Sequence, residues 1–168
     1  MHPKQIVRAI VIRAVAAIAI LSPYSSIHSQ SYDPTASSAS ATSIPNTQLI
    51  QPAAVSALLR SSGTERPLVL QVGSRLMFAQ AHIAGSVFAG PGSQPSGLAL
   101  IEKRVASTEK NKLIVIYCGC CPWNRCPNMG PAYKRLHDLG FTNVKAIYIA
   151  NNFGDDWVAK GYQVESGD

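Results

Sequence analysis

Residues 113–118 read LIVIYC, and from Cys118 to Cys126 the chain continues CGCCPWNRC. Residues 113–117 are apolar and rich in β-branched side chains, with no polar alternation. That is the pattern of a strand buried on both faces. Such strands belong to parallel sheets covered by helices, where reacting groups gather at the carboxyl ends of the strands. The residue at that end is Cys118. All four cysteines of the chain, Cys118, Cys120, Cys121 and Cys126, fall within these nine residues.

Outward from this stretch the pattern alternates. Residues 131–139 read as a helix stopped by Gly140, and 144–149 (VKAIYI) as another strand. A last short helix is expected over 155–160, capped by Asp155 and Asp156. Toward the N-terminus, 95–107 read as a helix with Leu98, Ile101 and Val105 on one face. Residues 83–88 carry a β-like piece, 74–81 a helical turn, and 67–72 (PLVLQV) a short strand. Residues 47–61 read as a helix with Pro52 in its first turn and Gly63 beyond its end. Strands alternating with helices define an α/β class: a parallel sheet of four to five strands flanked by helices on both faces.

The cysteine cluster lies between the best strand and a helix. A thiol there meets loop N–H groups and a helix N-terminus, both of which favour a negative sulfur. A lowered thiol pKa makes a nucleophile. The same amides suit the anionic oxygens of a substrate, and Arg125 adds a guanidinium with the geometry to hold an oxyanion. Pro122 and Pro127 carry no N–H and so remove two potential donors. Pro127 is expected to set the helix start, and Asn124 and Asn128 to serve as turn and cap residues.

Five stretches in order are similar to the rhodanese (sulfurtransferase) superfamily: PLVLQVGSR (67–75), AHIAGSVFAG (81–90), LIVIYC, LHDLGFTNVKAI (136–147) and DDWVAKGYQV (155–164). The resemblance spans roughly residues 50–165. It implies a rhodanese-like fold, with the active-site cysteine on Cys118. In that family the cysteine takes a sulfane sulfur from a donor such as thiosulfate, becomes a persulfide, and passes the sulfur to a thiol or cyanide. The chain departs from the pattern where Ala81 and Ala84 replace the Gly and Pro of the family's Gly-His-Ile-Pro-Gly-Ala signature. Its loop is longer, and CGCCPWNRCPN looks like a distinct subgroup rebuilt around thiols.

Alternatives for the loop stay open. Cys118 carries sulfur while Cys120, Cys121 and Cys126 resolve or protect it. Or Cys118 and Cys121, at C-x-x-C spacing, form a redox pair that Cys126 resolves. Or the thiolates hold a soft metal, Cu(I) or Zn, although the second knuckle of a structural zinc site is missing. Or a disulfide simply pins the loop. No organic cofactor is expected. Gly119 and Trp123 are expected to support and pack the loop, and His82 to hold its own loop by side-chain hydrogen bonds. Arg75 either reaches the site from the neighbouring strand end or stays exposed. The expected partners are a small sulfur-donor anion and a thiol acceptor.

The N-terminus reads differently. Lys4, Arg8 and Arg13 precede an apolar run, AVAAIAIL (14–21), that Ser22-Pro23 breaks, the order of an export signal. From 6 to 21 is only 16 residues, short of the roughly 20 that span a bilayer. The expectation is a signal peptide over 1–29, a Ser/Thr/Pro-rich flexible leader over 30–46, and one domain over 47–168. The protein is then exported, periplasmic or secreted, with no stable membrane insertion after cleavage. The chain carries 15 Lys+Arg against 9 Asp+Glu, a net +6; without Lys4, Arg8 and Arg13 the balance is 12 against 9, or +3. Those charges are scattered with no basic run, which argues against a nucleic-acid partner. Four cysteines in 168 residues are too few for a fold built on disulfides.

Overall fold

The computed structural model describes residues 43–61 and 66–167. The expected export signal and all but the end of the leader lie outside the described residues. In chain order the elements are β1 (Leu49–Ile50), α1 (Pro52–Arg60), β2 (Leu68–Gln71), α2 (Arg75–Gln80), β3 (His82–Ile83), β4 (Val87–Phe88), α3 (Pro95–Val105), β5 (Ile114–Tyr117), α4 (Met129–Asp138), β6 (Val144–Ile147), α5 (Phe153–Asp156) and β7 (Val164–Glu165). Five strands form one sheet in the order β1-β6-β5-β2-β4, every neighbouring pair parallel. A small antiparallel pair, β3 with β7, stands apart from it.

The LIVIY segment occupies the centre of this sheet, and all four residues of β5 are buried. Successive side chains of a strand point to opposite faces. Ile114 and Ile116 therefore join Leu70 and Ala146 on one face, against Ile101 and Val105 of α3 and Met129, Ala132 and Leu136 of α4. Val115 and Tyr117 join Val69 and Ile147 on the other face, with Val55 of α1, Phe153 of α5 and Trp157 just after it. Cys118 continues the first set and packs in the α3–α4 core. A one-residue slip would turn every one of these side chains to the wrong face. Each buried side chain of this size contributes about 1.5–3 kcal/mol relative to exposure, so the register, and with it the side on which Cys118 lies, is firmly set.

Local chemistry sets the ends of the helices. Pro52 and Pro95 open α1 and α3, where a missing N–H costs nothing. α4 ends as expected at Gly140, whose φ of 85° lets its N–H reach His137 O at 2.8 Å and the Phe141 N–H reach Leu136 O at 3.1 Å.

Some elements differ from the sequence reading. The helix expected from 47 begins only at Pro52. Before it come a 3-10 turn, Asn46–Gln48, and β1, which pairs with β6 through Leu49 and Ala146. Two residues carry no period, so only the neighbouring strand reveals them. The 83–88 piece divides into β3 and β4 around Gly85, at φ 73°. Asn152, not Asp155 or Asp156, caps α5: its Oδ1 accepts the Asp155 N–H at 2.9 Å. Ile44, assigned by composition to the leader, is buried in the α3–α4 core. Among the described residues no helix is long and apolar enough to cross a membrane.

Candidate functional site

The segment after β5 is fastened to the segment after β6 at two points. The Phe153 N–H donates to Gly119 O at 3.0 Å, and the Trp123 N–H donates to Ala150 O at 3.2 Å. Gly119 is required where it stands. Its φ is +74°, and a Cβ would lie 2.7 Å from Phe153 Cβ. This turn sends the chain back over the strand end, so that Cys120, Cys121 and the 3-10 turn Trp123–Arg125 fold over Cys118.

Three sulfurs converge. The Sγ atoms of Cys118, Cys120 and Cys126 all lie within 4.8 Å of one another. Cys118 and Cys120 are 2.9 Å apart, and Cys121 Sγ is 3.4 Å from Cys120 Sγ. Cys118 and Cys126 are buried, Cys120 and Cys121 half-buried, and all four are free thiols. The sequence expectation of a low-pKa Cys118 facing loop N–H groups is corrected by the structure. Cys118 is 3% exposed, and its thiol is pushed up to about 12, chiefly because it donates its proton to Cys120. Cys126 is pushed up for the same reason, by hydrogen bonds to Cys118 and Cys120. Cys120 receives these donors and is lowered to about 2, first by Cys118 and then by Cys126. Three thiols this close share one negative charge best on the sulfur that keeps most contact with water, and that sulfur is Cys120.

Sulfur donors rather than a cation hold this charge. Arg125 is exposed on the 3-10 turn and, among the described residues, forms no ion pair with another side chain. The polar residue that does reach the sulfurs is Asn128. Its side chain does not cap α4. It is buried, and its Nδ2 donates to Cys118 Sγ at 3.4 Å and lies 3.8 Å from Cys120 Sγ. Its Oδ1 accepts from the Ser93 N–H at 3.1 Å and from the Ser93 hydroxyl at 2.8 Å. Both donors on Ser93 fix which end of the amide faces the thiols. The Asn128 N–H, at the start of α4, points to Cys126.

Gln71 and Gly73 close the site from β2. Buried Gln71 contacts Cys118 O through Nε2 at 3.5 Å and accepts the Gly73 N–H at 3.1 Å. A Cβ on Gly73 would lie 2.9 Å from Cys118 Sγ. Asn128, Ser93, Gln71 and Gly73 were not among the expected site residues; a buried Asn at a helix start is the only local sign of any of them.

The remaining expected residues divide. Trp123 packs on the core beside the thiols, its ring 5.5 Å from that of Tyr148. His82 holds structure: its Nδ1 is bonded to Phe78 O at 2.8 Å, its ring stacks on Phe78 at 3.8 Å, and Nε2 lies 3.7 Å from Glu165. Arg75 turns toward β4, its guanidinium 4.3 Å from the Phe88 ring centre. Of the expected redox pair, the sulfur nearest Cys118 is that of Cys120, at 2.9 Å, rather than Cys121. A cavity of about 190 Å³, lined by Gln71, Met77, Tyr117, Cys118, Phe153 and Val158, opens beside the strand end. Among the described residues every buried polar side-chain atom has a hydrogen-bond partner.

The fold that positions this cluster, a parallel sheet with the cysteines at the carboxyl end of its central strand, has counterparts in known structures. A crystal structure of the Alr3790 protein from Anabaena sp. is 20% identical with a TM-score of 0.54, covering 70% of this chain and 82% of that one. The solution structure of the rhodanese-like domain of Alr3790 is 18% identical with a TM-score of 0.54, covering 71% and 79%. A crystal structure of the BH2092 protein from Bacillus halodurans is 23% identical with a TM-score of 0.54, covering 70% and 75%. No family model matches the chain, and no curated protein matches it significantly. The chain has the rhodanese-like fold, a five-stranded parallel sheet with helices on both faces.

Proposed function

We propose that the protein is an exported sulfurtransferase in which Cys120, rather than Cys118, takes the sulfane sulfur. The observation that carries this reading is the convergence of two thiol donors and the Asn128 amide on Cys120, the one of the three mutually close sulfurs that is not buried. The Cys120 thiolate attacks the outer sulfur of a donor such as thiosulfate. The S–S bond of the donor breaks, sulfite leaves with the bonding pair, and Cys120 becomes a persulfide anion. An acceptor thiolate then attacks the terminal sulfur, leaves as its own persulfide, and returns Cys120 as thiolate. Charge and sulfur balance in both steps, and no cofactor takes part. The thiol protons of Cys118 and Cys126 and the Asn128 amide stabilise the anion before and after transfer. Arg125, exposed on the same loop, is suited to steer an anionic donor inward. The cavity beside the strand end is bordered by Cys118 and not by Cys120, so it offers a small donor an approach to the cluster rather than to the Cys120 sulfur itself. Placement outside the cytoplasm rests on the signal-like order of 1–29.

The test is sulfite release from thiosulfate in the presence of an acceptor thiol. Cys120→Ser is expected to abolish it, while Cys118→Ala retains turnover. Turnover by Cys120→Ser together with none by a folded Cys118→Ala would overturn the assignment.

A second reading has one observation in its favour, the 2.9 Å between Cys118 and Cys120 sulfurs. Attack of Cys118 on the inner sulfur of a Cys120 persulfide forms a Cys118–Cys120 disulfide and expels hydrosulfide. Sulfide released in place of persulfidated acceptor marks this branch.

A further inference from the structure

The same three sulfurs meet the requirements of a ligand that sulfur transfer does not use. We propose that Cys118, Cys120 and Cys126 form a three-coordinate site for Cu(I). A metal–thiolate bond of about 2.3 Å, as found for zinc, places the sulfurs of a trigonal site about 4 Å apart. Here the three Sγ atoms lie within 4.8 Å of one another, with the Cys118–Cys120 pair at 2.9 Å. Binding an ion therefore asks the Cys118–Cys120 pair to open by about 1 Å, with Cys126 already within 4.8 Å of both. A gap of about 10 Å³ bordered by Cys118, Cys121, Cys126, Met129 and Trp123 gives Cys118 and Cys126 space to open.

The donor set selects the metal. Three cysteine sulfurs with no nitrogen or oxygen ligand among them, the Cys118 and Cys126 protons leaving to solvent as the ion binds, suit a soft monovalent ion, whereas structural zinc takes four ligands in a tetrahedron. The fourth thiol, Cys121, is 3.4 Å from Cys120 but lies outside the mutually close trio. It is half-buried and not one of the three ligands. Asn128 supplies the outer shell. Its amide, held by Ser93, donates to Cys118 and so fixes the direction of that sulfur. Trp123 and Met129 limit water at the sulfurs.

Cu(I) and a sulfane sulfur compete for Cys120, but the two activities fail separately, since persulfide formation is measured without copper. The test titrates the reduced full chain with Cu(I), held as a coloured chelate under anaerobic conditions. The expected result is one Cu(I) withdrawn per chain, with X-ray absorption showing a shell of three sulfurs. Cys121→Ser should retain that stoichiometry. Cys118→Ser, Cys120→Ser and Cys126→Ser should each weaken retention by more than the roughly tenfold expected for Asn128→Ala, a change in the outer shell. Circular dichroism identifies any variant that does not fold, and Asn128→Ala and Cys121→Ser keep the test open if the buried-cysteine variants are lost. Failure to compete with the chelator, a two-sulfur shell, or equal loss in Cys121→Ser and Cys120→Ser would overturn the proposal. So would a four-sulfur zinc site that excludes Cu(I).

Discussion

Removing the Cys118 thiol is predicted to make Cys120 react faster, not slower. Cys118 Sγ lies 2.9 Å from Cys120 Sγ, and this donor is the largest cause of the fall of the Cys120 thiol from the ordinary 9.0 to about 2. A hydrogen bond to a charged group contributes about 1.5–3 kcal/mol, and one pKa unit corresponds to about 1.4 kcal/mol. Cys118→Ala therefore raises Cys120 by about one to two units. With Cys126 and Asn128 still donating, Cys120 remains an anion at neutral pH in both proteins. What changes is its intrinsic nucleophilicity, which grows with thiol pKa with a coefficient of about 0.4–0.5. The alkylation rate of Cys120 at neutral pH should rise roughly threefold to tenfold. Iodoacetamide labelling followed by peptide mass spectrometry measures it site by site. Cys118→Ser keeps a donor and should stay near the wild-type rate. A slower Cys120 in Cys118→Ala, or identical rates in the Ala and Ser variants, would refute the hydrogen-bond account of the charge.

Other outcomes follow from the same geometry. Gly119→Ala, strained at φ +74° and pressed against Phe153, should lose about 1–3 kcal/mol of stability in urea unfolding. Asn128→Leu leaves the Ser93 donors and the sulfurs without their partner and should cost about 1–3 kcal/mol by the same measurement. Gly73→Ala places a methyl 2.9 Å from both Cys118 Sγ and Gln71 Nε2; it should alter the Cys120 labelling rate while circular dichroism shows the fold retained. The pH dependence carries a sign. Cys120 is lowered from 9.0 to about 2 on folding, so its contribution to stability is full above about pH 9 and falls as pH drops toward 2. Unfolding midpoints of the wild type should therefore decline more steeply than those of Cys120→Ser between about pH 9 and pH 5.

The sheet was legible because its central strand is unambiguous. An apolar, β-branched run of strand length ending at Cys118 favours a buried parallel strand over a helix, and the alternation of Ile114, Ile116 and Cys118 already implied that this sulfur faces the core with them. What misleads is the loop that follows, whose amides suggest a low-pKa thiol at Cys118 although its strand register buries it. β1 and β7 were missed because two-residue strands carry no period and exist only through β6 and β3. Asn128 could not be placed on the thiols, because what turns its amide is Ser93, on a segment 35 residues away. Arg75 follows the aromatic ring of Phe88, a contact between elements that neither segment announces alone.

The central claim is that the reacting sulfur is Cys120. One equivalent of a sulfane donor, followed by alkylation and site-resolved mass spectrometry of the reduced wild-type chain, tests it most directly. The account predicts the added sulfur atom on the peptide position of Cys120, with Cys118 alkylated only after unfolding. An added sulfur on Cys118, with Cys120 unmodified, would contradict it.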